Sequence, residues 1–126
     1  MRARDRCEYC KMHQSLQGAT FHVEHVLPES RGGSSLADNL AWCCPSCNLH
    51  KADRIDATDP ESGAAVSLFN PRQQSWAEHF RWEAYLLIGQ TAVGRATVAV
   101  LKLNDQRRAV IRQAEHRFAL FPPVDG

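Results

Sequence analysis

The apolar and polar positions of the chain change period several times, and each change marks an element. Thr20-Phe21-His22-Val23-Glu24-His25-Val26-Leu27-Pro28 reads as a β-strand ended by proline. Arg31-Gly32-Gly33-Ser34-Ser35 is loop material, and Leu40-Ala41-Trp42-Cys43 is short and apolar enough for a second strand, giving a hairpin with a long irregular loop. Pro45 suits the first turn of a helix that runs through Lys51 to about Asp53. Beyond it Asp53, Asp56, Asp59 and Glu61, set against Arg54, make an acidic, turn-rich link through Pro60 and Gly63. Val66-Ser67-Leu68-Phe69 is strand-like and Asn70-Pro71 stops it; Trp76 and Phe80 have helical spacing, and 81–90 reads as another strand or hairpin. Segments 91–103 and 104–121 read as two helices, the second with Val110, Ile111, Ala114 and Phe118 on one face and Arg108 and Arg112 on another. The expected class is α+β, with residues 1–54 as a core and 55–126 as a strand and helix extension packed on it as one domain.

Composition narrows this picture. A chain of 126 residues is one domain long, with room for a modest core that a structural metal would reinforce. Its hydrophobic fraction of 44% and charged fraction of 23% are those of a water-soluble protein, and no apolar run approaches the roughly 18 residues of a membrane span. Met1-Arg2-Ala3-Arg4-Asp5-Arg6 is basic but leads into Cys7-Glu8-Tyr9-Cys10 rather than an apolar stretch, so it is not a secretory signal, and a cytoplasmic location is expected. The net charge of +1 conceals a C-terminal stretch in which Lys102, Arg107, Arg108, Arg112 and Arg117 face only Asp105 and Glu115. A polyanionic partner is therefore not excluded.

Five cysteines without an export signal point to metal before disulfides. Cys7-x-x-Cys10 and Cys44-x-x-Cys47 form two knuckles 33 residues apart, each able to bring two thiolates to one tetrahedral Zn²⁺ at about 2.3 Å. Cys43 could replace Cys44 through a three-residue spacer; the matched spacing favours Cys44 and leaves Cys43 as a small buried hydrophobe.

The ordered set Glu24-His25, Pro28, Gly32-Gly33, Asn39-Leu40 and Cys44-Pro45-Ser46-Cys47-Asn48-Leu49-His50-Lys51 resembles the HNH endonuclease family, over roughly residues 7 to 54. The intervals of 14 residues from His25 to Asn39 and 9 from Asn39 to Asn48 are similar to the family's. The resemblance implies a ββα-metal core, cleavage of nucleic acid, and products with a 5′ phosphate and a 3′ hydroxyl.

The residues themselves support that chemistry. Phosphodiester hydrolysis needs an activated water, a stabilised leaving oxygen and charge relief on the phosphoryl group. His25 is the expected general base, because imidazole titrates nearest neutrality; its alternative is a strand histidine satisfied by a carbonyl. Glu24 offers a hard anionic oxygen for Mg²⁺ or Mn²⁺. Strand alternation would put Glu24 and His25 on opposite faces, so both can serve one phosphate only if the strand twists or bulges near Pro28. By resemblance Asn48 is the second ligand of that metal, and Asn39 pins the loop and orients His25, its alternative being an ordinary turn residue. His22 is a candidate auxiliary ligand or a solvated side chain, Lys51 a candidate phosphate contact, and His50 has no assignment. Arg95, Arg108 and Arg112 are either phosphate contacts or a solvated helix face. The expected function is that of a metal-dependent endonuclease acting on DNA, with RNA as the alternative substrate. The alternatives are a non-catalytic zinc-knuckle nucleic-acid binder and a structural zinc module.

Overall fold

A computed structural model describes residues 5–16 and 21–123. Thr20 of the expected first strand and the basic Met1–Arg4 lie outside the described residues. The first unit is a strand, loop, strand and helix. Strand β1 (His22–His25) pairs antiparallel with β2 (Leu40–Cys43), with His22 opposite Cys43 and His25 opposite Leu40. Helix α1 (Pro45–Lys51) follows at once, with proline in its first turn and Cys44 as its N-cap. The loop between the strands carries two single 3-10 turns, Glu29–Arg31 and Ala37–Asn39. Its tightest point is Gly33, where a Cβ would lie 1.7 Å from the Leu27 carbonyl oxygen. Only glycine fits there.

The extension is built from short elements: β3 (Asp56–Thr58) paired with β4 (Ala65–Ser67), α2 (Trp76–His79), β5 (Phe80–Glu83) paired with β6 (Leu86–Gly89), α3 (Ala92–Val100) and α4 (Gln106–Arg117). Both long helices begin at side-chain caps, Thr91 accepting from the Gly94 N–H and Asp105 from the Arg107 N–H. Helix α3 lies directly on β6, because a Cβ on Gly89 would fall 2.4 Å from the Arg95 nitrogen. The acidic stretch read as a link is instead a hairpin. Asp59 is fully buried in its turn, accepting from the Glu61 and Ser62 N–H groups and the Ser62 hydroxyl, and it takes two hydrogen bonds of 2.9 Å from Arg95.

One apolar cluster joins the two halves, running from Cys7, Tyr9, Met12, Phe21 and Ala41 to Phe69, Trp76, Phe80, Leu87, Leu101 and Leu103. Trp76 donates its indole N–H to the Tyr9 carbonyl at 2.9 Å. Around it Phe69–Phe80, Trp76–Phe80, Trp76–Trp82 and Trp82–Phe121 stack at centroid distances of 4.9–5.6 Å. Each such pair contributes roughly 0.5–1.5 kcal/mol beyond the area it buries.

Helix α4 reverses the expected polarity. Arg108, Arg112 and Glu115, at helical spacings of four and three, are 3%, 3% and 1% exposed. Val110 and Phe118, expected on the inner face, are 56% and 67% exposed, and only Ile111 of that group packs on the core.

Candidate metal centre and active site

The two cysteine knuckles are held together by backbone before any metal is considered. In the first, the Cys7 N–H donates to the Met12 carbonyl and the Lys11 N–H to the Cys7 carbonyl. Glu8 then clamps that turn to β2: its N–H donates to the Trp42 carbonyl, and its carboxylate accepts from the Trp42 N–H at 2.6 Å. Arg72 closes an ion pair on the same carboxylate. In the second knuckle, the Cys47 N–H donates to Cys44 Sγ at 3.4 Å. The sulfurs of Cys7, Cys10, Cys44 and Cys47 all lie within 4.8 Å of one another, with Cys10 and Cys44 Sγ 3.8 Å apart. A tetrahedron with Zn–S bonds of about 2.3 Å has edges of about 3.8 Å, so spacing and donor type both fit a closed tetrathiolate site. Cys43 is equally buried and borders the cluster through Cys7, with its thiol also directed to the Cys44 carbonyl at 3.4 Å, but it is not one of the four mutually close sulfurs.

On the other side of α1 lies the segment expected to do chemistry. Strand β1 keeps regular register through His25, so Glu24 and His25 leave it on opposite faces, and the two can serve one phosphate only if the strand end or the Glu24 side chain rearranges when metal and substrate bind. His25 is about a quarter exposed, and its Nε2 lies 3.1 Å from Ser35 Oγ and 3.2 Å from Glu29 Oε1. Glu29 and Ser35 escaped the sequence reading, although Glu29, four residues on in the turn after Pro28, was the available clue. Asn39 ties the loop under this histidine: its Oδ1 accepts from the Leu27 N–H at 2.8 Å, and its Nδ2 donates to the Leu27 and Ser34 carbonyls. The Val26 N–H donates to the Asn39 carbonyl, so the residue after His25 is fixed to the same point.

Glu24 points inward and is 7% exposed. It accepts from the Tyr9 hydroxyl at 2.8 Å and pairs with Lys51 Nζ at 2.7 Å. Burial raises its pKa above the ordinary carboxylate value, against the opposing pull of Lys51 and Tyr9. The other donor expected for a divalent ion, Asn48, stands half-buried on α1 immediately after Cys47, and among the described residues its side chain has no hydrogen-bond partner. One hard carboxylate oxygen and one free amide oxygen suit Mg²⁺, which retains several waters, provided that Lys51 yields its place at Glu24. His22 is exposed, and His50 Nδ1 lies 2.8 Å from the Ser46 carbonyl.

The basic residues expected to touch nucleic acid require correction. Lys51 is 2% exposed, committed to Glu24 and to the Val26 carbonyl at 3.0 Å. Arg108 sends both terminal nitrogens to Cys47 Sγ at 3.6 Å and one of them to the Leu101 carbonyl at 3.0 Å. Arg112 donates to the carbonyls of Tyr85 and Leu103 and to Asn104 Oδ1, and lies over the Trp82 ring. Arg95 is bound to Asp59 and Glu61. None of Lys51, Arg108 and Arg112 offers a free cation to a phosphate. The physical reason is the same for each: a buried negative group nearby, or an array of carbonyls, holds the cation better than solvent does.

Residues 7–59 match a family model described as HNH endonuclease. The chain is 28% identical over 108 residues to the Septu protein PtuB of Bacillus thuringiensis, a match that covers 84% of this chain and 39% of that protein. It thus spans less than half the length of this relative. No solved structure matches the chain. Similarity to the HNH endonucleases therefore covers residues 7–59, and the four clustered cysteines within an α+β fold are consistent with the zinc-binding core of that family. Among the described residues, no helix is long and apolar enough to cross a membrane.

Proposed function

We propose that this protein is a metal-dependent endonuclease that hydrolyses phosphodiester bonds of DNA, with His25 as general base and one Mg²⁺ or Mn²⁺ held by Glu24 and Asn48. The observation that carries the reading is the position of His25: half-open at the end of β1, its Nε2 facing a polar loop that Asn39 pins at three points. A water at the other ring nitrogen, Nδ1, gives up its proton to the imidazole as it attacks phosphorus, and Glu29, 3.2 Å from Nε2, orients the ring and stabilises the imidazolium that results. When bound, the divalent ion relieves charge on the phosphoryl oxygens and the leaving 3′ oxygen. Lys51 keeps Glu24 ionised and in place until then, and by its bond to the Val26 carbonyl holds the strand end that carries His25. The extension, residues 55–126, is in this proposal packed on the 1–54 core as one unit, and a cytoplasmic setting suits the reduced thiolates.

The reading is tested by incubating the zinc-loaded protein with plasmid DNA, and in parallel with RNA, in Mg²⁺ or Mn²⁺ with and without EDTA. Strand breaks that require the added metal are expected. His25→Ala should retain zinc and lower the rate by about 100-fold or more, the scale of a positioned base. Raising the metal concentration should recover part of the loss in Glu24→Gln and none of it in His25→Ala. A parental rate in folded His25→Ala would remove His25 from the mechanism. One observation favours a second reading, a zinc-knuckle binder of nucleic acid that does not cut: the Glu24 carboxylate is already satisfied by Lys51 and Tyr9. Binding without metal-dependent breaks in the same assay would select it.

A further inference from the structure

Arg108 sits in an unusual electrical position. Its guanidinium is almost wholly buried, yet among the described residues no carboxylate pairs with it. A buried cation without a counter-ion would cost several kcal/mol. The negative charge nearest to hand is sulfur: both Nη1 and Nη2 lie 3.6 Å from Cys47 Sγ. Four thiolates around one Zn²⁺ carry two surplus negative charges, equally costly to bury alone. Arg108 contacts Cys47, and Arg112, one helical turn further along the inner face of α4, feels the charge of Cys10 and Cys47 together with that of Glu115. The charge of such a cluster gives a reason for burying Arg108 on the inner face of α4.

We propose that Arg108 is a positioning residue of the metal centre: it donates two hydrogen bonds to the Cys47 thiolate and, with Arg112, supplies the countercharge of the tetrathiolate, so that α4 is part of the metal site. The inference rests on reading the four cysteines as a zinc ligand set. It deepens the proposed function, because Cys47 directly precedes Asn48 on α1. The sulfur that Arg108 holds fixes the first turn from which the Asn48 amide projects. Partners outside the ligand shell of this kind typically alter metal affinity 10- to 100-fold.

The test uses the full chain. Arg108→Met should speed zinc loss to a chromogenic chelator by about 10- to 100-fold. Arg108→Lys should recover only part of this, since an ammonium keeps the charge and loses the fork. Arg107→Met, at the exposed neighbouring position, should change nothing. In the Co²⁺-substituted protein the thiolate-to-metal charge-transfer band of Arg108→Met should move to lower energy, because the sulfur lone pairs lose two donors; a purely packing role leaves that band in place. Should Arg108→Met fail to fold, the parent protein loaded with ¹¹³Cd decides, through scalar coupling between the metal and the Arg108 η protons across Cys47 Sγ. Zinc-loaded protein with an unshifted cobalt band and no such coupling overturns this role alone. A chain that folds and binds no metal overturns the zinc reading with it.

Discussion

Asp59 shows what a single side chain contributes outside the candidate site. Its hydrogen bonds from Arg95, then from Ser62 and the Glu61 N–H, hold its pKa well below the ordinary carboxylate range. A depressed carboxylate stabilises the fold at any pH above its unfolded value of about 3.9, and that stabilisation fades as the pH falls toward the folded value. Asp59→Asn should therefore unfold at lower urea than the parent at pH 6, and the gap between the two midpoints should narrow below about pH 4. A gap independent of pH would mean that the carboxylate charge is not what holds the turn. Cysteines allow a sharper contrast. Cys47→Ser should lose the metal, whereas Cys43→Ser should keep one equivalent per chain, because its sulfur borders Cys7 but is not one of the four that lie within mutual reach. Metal analysis of the two purified variants checks this. These cysteine roles were legible in the sequence because x-x spacing is local geometry. The partners of Glu24 were not: Tyr9 and Lys51 reach it from 15 residues before and 27 after, and nothing in the alternation of β1 announces them.

At the scale of elements, what could be read and what could not follow the same division. The ββα unit was visible because proline, paired glycines and two short apolar runs act over a few residues. Of the hairpin β3–β4 only the second strand showed in the sequence: β3 is three residues long, and its acidic turn reads as solvent-exposed until Arg95 is brought to it from 36 residues away. Helix α4 misled for another reason, since hydropathy assigns arginine to water and cannot register a charged cluster elsewhere in the chain. This inversion is directly testable. Val110→Lys and Phe118→Lys should change stability by no more than about 0.5 kcal/mol, as expected for surface positions. Arg112→Ala should cost about 3 kcal/mol or more, because it leaves buried carbonyls without their donor. Chemical denaturation of the three variants separates the inward face from the outward one. In the loop after β1, Gly33→Ala should cost about 1–3 kcal/mol as the Leu27 carbonyl is forced aside. It should slow cleavage as well, by shifting the segment that Asn39 pins beneath His25.

For the molecule as a whole, the ties between its halves determine how it comes apart. Arg72 to Glu8, Trp76 to the Tyr9 carbonyl, the His13 N–H to Glu115 and Arg108 to Cys47 all run between the N-terminal knuckle or α1 and the extension. Stripping the metal with a strong chelator should therefore unfold both halves in one transition, with tryptophan fluorescence, which reports Trp76 and Trp82 in the extension as well as Trp42, following the far-UV signal. Two separated transitions would mean that the halves are independently stable.

The distance along the chain between Cys47 and Arg108 also gives the molecule a history in time. The last cysteine emerges from the ribosome 61 residues ahead of the arginine that touches it. At synthesis rates of about 5–20 residues per second, the knuckles spend roughly 3–12 seconds without their guanidinium. On the proposed zinc reading, metal captured by the nascent chain in that interval is held by sulfur alone. Ribosome-bound chains arrested before residue 108 should accordingly surrender zinc to a chelator faster than chains arrested after α4 has cleared the exit tunnel. On that reading, the closing step in securing the metal at the cysteines is the arrival of α4.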